Sequence, residues 1–159
     1  MKQSNRLNMI FKIGLYSFAV LMLFKACNRE KREVRAIPWM VQLDSALVVA
    51  RESGKPMMID FMATWCPPCR AMEDSTFHRK DVVGKAEAFV PVRIDVDQQP
   101  DVANAYGGNA QKYGGIGIPN MLFLTSEGER ICQIVGYHSP EALIAVMDSV
   151  INIIPKTAN

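Results

Sequence analysis

The feature that leaves this chain least freedom is a seven-residue run, MMIDFMA at 57–63, separated by one threonine from WCPPC at 65–69. A short apolar run without alternation fits a strand covered on both faces, and a pair of prolines fits the first turn of a helix. Strand, tight turn and helix start are thereby placed in order. The same stretch buries one carboxylate, Asp60, six residues before the first of two cysteines, Cys66 and Cys69. That pair can be half a metal site, a structural disulfide or a reactive dithiol.

Punctuation on either side extends the pattern. Asp44 can cap a helix over SALVVARES, which Gly54 and Pro56 stop. The helix that opens at Cys66 should run to about Phe77, followed by a short weak helix over 81–89. VPVRIDVD at 90–97 alternates, with Val90, Val92, Ile94 and Val96 on one face, and predicts a strand. Residues 99–112 read as polar helix. NMLFLTSEGERICQIVGY at 120–137 predicts a hairpin turning at 126–129. Ser139 and Pro140 then open a helix whose Leu143, Met147, Val150 and Ile151 share a face. The β-α-β portion implies parallel neighbours and the hairpin an antiparallel edge, so the expected class is α/β, three-layer α/β/α with a central mixed sheet. A short strand near 39–43 is compatible with this order.

Charge is divided unevenly. Residues 1–35 hold eight of the eighteen lysines and arginines but two of the sixteen acids, leaving the remainder mildly acidic. No basic stripe interleaved with aromatics runs through that remainder, which argues against nucleic-acid binding. At the amino end, Lys2, Arg6 and Lys12 precede the apolar IGLYSFAVLMLF at 13–24, and Lys25 closes it. A basic flank before so short a run predicts a signal peptide or signal anchor over 1–27. NREKREVRAIP at 28–38 reads as a charged tether, and 39–159 as the folded domain. Cys27 follows the apolar run where a lipidated cysteine would stand, although Lys25 occupies a place where such signals favour small or apolar residues. Cleaved, lipidated and retained forms share one expectation, a domain outside the cytoplasm in a compartment such as the periplasm, and the retained segment or a lipid on Cys27 would tether it to the membrane.

A strand-to-helix junction gives the dithiol its chemistry. Cys66 falls at the N-cap, Pro67 and Pro68 at the first helical positions, and Cys69 one turn in. The positive end of the helix favours a Cys66 thiolate, the outer and accessible nucleophile, while Cys69 resolves the mixed disulfide it forms. The prolines remove two N–H donors that a thiolate there would otherwise accept from, so a less stabilised thiolate and a more reducing couple are expected. Asp60, in a doubly covered strand, should have a raised pKa and lie beneath the helix start, where it can take the Cys69 proton.

Four ordered blocks, MIDFMATWCPPCR, VRIDVDQQP, GIGIPNMLFL and VGYHSPEAL, together resemble the thioredoxin superfamily over roughly residues 40–152. STFHRKDVV, after the active-site helix, is similar to the C-terminal thioredoxin-like domain of the DsbD thiol-disulfide interchange proteins and their periplasmic relatives. The resemblance implies a redox pair at Cys66 and Cys69, a flanking aromatic at Trp65 and a buried acid at Asp60. It implies a cis peptide before Pro119, which leaves the Ile118 backbone to pair with an extended substrate, and Gly136 as the residue keeping the groove open.

Its functional implication is an exported thiol-disulfide oxidoreductase that reduces protein disulfides, needs no cofactor beyond the Cys66–Cys69 disulfide, and works as a monomer. Its partners would be disulfide-containing protein substrates and a membrane thiol protein that donates electrons. An oxidase or isomerase with the same site is the alternative within the class; a redox-inert binding module or metallochaperone is the alternative outside it. Three departures set this chain apart: Pro67 in place of glycine, Arg93 where thioredoxin has a lysine near the buried acid, and a longer segment between Pro100 and Pro119. AYGGNAQKYGG in that segment can reshape one wall of the groove.

Zinc needs four ligands, and Cys132, His78 and His138 stand at unrelated spacings from the pair. Cys132 reads as a packing thiol, His138 as a loop residue, and Met57, Met58, Met62 and Met72 as gap-fillers in the core.

Overall fold

The computed structural model describes residues 36–153; the signal or anchor segment, Cys27 and most of the tether lie outside the described residues. The elements are α1 (Leu43–Ser53), β1 (Met57–Met62), α2 (Pro67–Met72), α3 (Lys80–Ala86), β2 (Val90–Asp95), α4 (Pro100–Ala105), β3 (Asn120–Leu124), β4 (Arg130–Val135) and α5 (Pro140–Ile153). A π-helical turn, Glu73–Phe77, continues α2, and a single 3-10 turn spans Gln111–Tyr113.

The sheet runs β2-β1-β3-β4, with β1 parallel to β2 and antiparallel to β3. Residue 40 bridges Val92 in parallel, the remnant of the short strand expected near 39–43. Alternation along β1 sorts its side chains between two cores. Met57, Ile59 and Phe61 face α1 and α4, packing with Ala46, Ala50, Ala103 and Leu122. Met58 faces the other way, among Met72, Phe77, Val82, Met121 and Leu143 from the opposite helical layer. Both faces of β1 are therefore filled, which is why its sequence is almost wholly apolar. The methionines at 57, 58 and 72 are fully buried and Met62 is half-buried, in keeping with packing.

Two local expectations shift. Asp44 lies inside the first turn of α1 rather than at its cap, because Gln42 holds the extended N-cap conformation. The polar helix expected over 99–112 stops at Ala105, where Gly107 takes a positive φ of 65° and turns the chain into a long loop.

Gly108, in that loop, lies against the ring of Phe61, and a Cβ there would run into it. Gly108→Ala should therefore overpack the core and cost about 2 kcal/mol in denaturant unfolding. Adding Phe61→Leu should recover part of that loss; additive losses would place the glycine's role elsewhere.

Candidate active site: a dithiol between a groove and a buried carboxylate

Cys66 and Cys69 are joined by a disulfide, with Cα atoms 5.3 Å apart. Cys66 is the extended N-cap of α2, Pro67 and Pro68 fill its first positions, and the Cys69 N–H donates to Cys66 Sγ at 3.2 Å. The N–H supply matches the sequence argument: one close backbone donor serves the outer sulfur because the two before it are prolines.

On the outer side, Cys66 lines an open groove of about 380 Å³ bounded by Trp65, Ile116, Gly117, Val135 and Gly136. The Ile118–Pro119 peptide is cis, and the Ile118 carbonyl oxygen lies 3.7 Å from Cys66 Sγ. Among the described residues, Ile118 makes no backbone–backbone hydrogen bond. Gly136 has a φ of 94° and its N–H donates to the Pro119 carbonyl at 2.8 Å. A Cβ at Gly136 would meet no protein atom within 4 Å, so its constraint is the backbone angle rather than crowding.

The outer cysteine is less exposed than the sequence suggested. Cys66 is 2% exposed against 5% for Cys69, so access to it is through the groove alone. The long loop after α4 forms one wall of that groove through Ala110, Gln111, Lys112, Ile116 and Gly117. Asn120 Nδ2 and Gln133 Nε2 both donate to the Gly107 carbonyl, and Arg130 donates to that of Tyr106, fixing the loop's base. At its tip, Asp97 accepts from Trp65 Nε1 and from the Tyr113 hydroxyl, both at 2.5 Å. Those two donors hold the Asp97 carboxyl below its ordinary range. The Lys112 ammonium sits 3.5 Å from the centre of the Trp65 ring. Sequence reasoning saw that the loop could form a wall but had no means of finding Asp97, Lys112 and Tyr113 as its fasteners.

On the inner side, Asp60 is 2% exposed and shares a pocket of about 300 Å³ with Cys69, Arg70, Glu73 and Arg93. The parallel register places Asp60 opposite Arg93, whose Nε donates to Asp60 Oδ2 at 3.0 Å. Arg93 Nη2 also pairs with Glu73 at 2.7 Å, and the guanidinium lies over the Trp39 and Phe77 rings at 4.3 and 5.2 Å. Burial pushes the Asp60 carboxyl up to about 6, with Arg93 pulling against the rise. Glu73 and Trp39, which complete this arrangement, carried no signal in the sequence.

Elsewhere, His138 Nδ1 lies 2.9 Å from the Gly136 carbonyl, and Thr76 donates to the His138 carbonyl. Cys132 is half-buried on β4, its thiol pushed up by burial. Among the described residues, no three His, Cys, Asp or Glu side chains group to hold a metal.

A mixed sheet with helices on both faces, a CxxC disulfide at a helix start and a facing cis-proline define a thioredoxin-like dithiol domain. The chain belongs to the thioredoxin-like domain family, whose sequence pattern matches residues 43–151. It is 33% identical over 107 residues to the thiol:disulfide interchange protein DsbD of Vibrio cholerae, covering 65% of this chain and 17% of that one. With the thioredoxin H-type of Fagopyrum esculentum it shares 31% over 114 residues, 72% of this chain and 89% of the relative. The DsbD c-terminal domain of Neisseria meningitidis, in the reduced form, has the same fold: TM-score 0.55 and 24% identity, covering 67% of this chain and 92% of that domain.

The raised Asp60 pKa sets a sign for stability. A carboxyl near 6 when folded and 3.8 when unfolded binds more protons in the native state between those values. Stability is thus greatest below about pH 4 on this account and falls as pH rises through 6. The fall should approach about 3 kcal/mol at most, for a shift of roughly two pH units. Urea unfolding of oxidised protein from pH 4 to 8 should show it in wild type and not in Asp60→Asn; parallel profiles would remove Asp60 as the cause.

Proposed function

We propose that this protein is an exported thiol-disulfide oxidoreductase that reduces disulfides in protein substrates. The observation that carries the reading is the placement of one disulfide between a substrate-sized groove at Cys66 and a buried titrating carboxylate beside Cys69.

In the reduced enzyme, the Cys66 thiolate attacks one sulfur of a substrate disulfide. A Cys66–substrate bond forms, and the other substrate sulfur leaves as a thiolate and takes a proton from solvent. The unpaired Ile118 backbone offers an extended substrate a short strand-like contact, with Trp65 and Gly136 beside it. Cys69 then passes its proton to ionised Asp60, directly or through water, and attacks the Cys66 sulfur. The Cys66–Cys69 bond forms and the second substrate thiolate departs. The substrate has gained two electrons and the enzyme's dithiol has lost them; a thiol-bearing electron-donor protein in the membrane restores the dithiol.

The direction is supported by the helix start. A thiolate stabilises the reduced form of a couple, and fewer N–H donors to it make that form a stronger reductant. Pro67 and Pro68 leave Cys66 the single Cys69 N–H. Export is supported by the basic, apolar amino end and by the likeness to DsbD, of whose length this chain spans 17%. The proposed organisation is a signal or anchor over 1–27, a tether over 28–38 and the working domain from 39.

Reduced protein should reduce insulin catalytically, and Cys69→Ser should accumulate substrates disulfide-linked to Cys66. Resolution of such a mixed disulfide in the wild type should accelerate as pH rises through about 6, and Asp60→Asn should slow it about tenfold or more at pH 7. Failure of Cys66 to react with iodoacetamide after mild reduction, or absence of turnover, would leave a binding module instead.

A further inference from the structure

The loop at residues 106–117 carries the one charged side chain among the residues that line the groove, Lys112. The walls around it are apolar or uncharged, and Ile116 and Val135 expose hydrocarbon into or beside the same space. Lys112 is held in place rather than free to wander: its ammonium lies over the Trp65 ring at 3.5 Å and 4.5 Å from the Tyr113 ring centre. Its anionic neighbour, Asp97, is 3.9 Å away, and both Asp97 oxygens already accept shorter bonds from Trp65 and Tyr113. The cation is thus positioned by π contacts and weakly neutralised, and its side chain is half exposed. A carboxylate arriving along the groove would find an ammonium with donors to spare, in surroundings drier than open surface.

We propose that Lys112 is a specificity-determining residue: it selects extended disulfide-bearing segments that carry a carboxylate side chain close to the reactive cysteine. The inference rests on the oxidoreductase reading of the groove and adds the chemistry of its substrate. The loop supplies the selection because it is pinned at both ends. Asn120, Arg130 and Gln133 hold its base, and the Asp97 cluster holds its tip beside Trp65. Gly115, where a Cβ would strike the Asn109 backbone, shows how closely the two limbs of the loop are packed.

The test uses the full chain and short synthetic peptides, each with one cysteine as a mixed disulfide with thionitrobenzoate and with glutamate, glutamine or lysine two positions away on either side. Release of thionitrobenzoate reports attack by Cys66. Wild type should rank glutamate over lysine peptides by about three- to tenfold at low salt, with the ratio shrinking as salt rises. Lys112→Gln should bring that ratio near one, Lys112→Arg should keep it, and Lys112→Glu should reverse it. A ranking that survives Lys112→Gln, or a wild type with no ranking, overturns the proposal. Chemical-shift titration of the same peptides, with serine for cysteine, separates the two readings. Should no peptide react while binding shows the Lys112-dependent ranking, charge selection stands and the oxidoreductase reading falls. Should neither reaction nor binding depend on peptide charge, the role of Lys112 is refuted.

Discussion

The pairing of Asp60 with Arg93 is the contact on which the rest of the site depends. It exists because β1 and β2 are parallel neighbours in register, which sets residue 60 beside residue 93 on one face of the sheet. A lone carboxylate on a strand filled on both faces would be costly to ionise. The guanidinium at 3.0 Å offsets part of that cost and is itself held by Glu73 and by the Trp39 and Phe77 rings. The acid therefore stays within reach of ionisation near neutral pH instead of being locked neutral. Its position under the start of α2 then puts a titrating group and Cys69 around one small pocket.

The opposite side of the disulfide is governed by sterics. The loop after α4 lines the groove beside Cys66, which is 2% exposed, so anything that reaches the sulfur must come along that groove. A wide site with an exposed sulfur would leave selection to the chemistry of exchange. A walled site makes shape and charge along the groove part of the encounter, and binding contacts there bear on which disulfides are presented at all. The Trp65–Asp97–Tyr113 cluster ties the tip of that wall to the tryptophan beside the sulfur.

Much of this was legible in the sequence for a specific reason. β1 had to be central because MMIDFM lacks alternation, and it is. Pro67 and Pro68 marked the helix start because few other backbone positions accept two prolines in sequence. Asp60 could be placed near Cys69 from spacing alone. What stayed hidden depended on side chains distant in sequence meeting in space. Glu73 and Trp39 close around Arg93 across separate elements, and Asp97 joins Trp65 to Tyr113 across a loop whose path no periodicity encodes. The length of α4 was misjudged for a related reason: its polar continuation has no apolar face to show where helix gives way to loop, and the turn is made at Gly107.

Arginine at position 93 also fixes the charge that stands beside the inner carboxylate. A lysine in that place could release its proton when buried and would titrate together with the acid, spreading the response over two coupled groups. Arginine remains charged throughout, so its pull on Asp60 is constant with pH and the carboxylate titrates against a fixed field. With its Oδ2 bound to Arg93, the remaining oxygen of Asp60 has no hydrogen-bond partner among the described residues and is the one free to accept. Asp60 is thus set near 6 by burial against a permanent cation and held in the pocket it shares with the inner sulfur. The proton transfer proposed for Cys69 would therefore end on Asp60 Oδ1, the oxygen that Arg93 leaves unpaired.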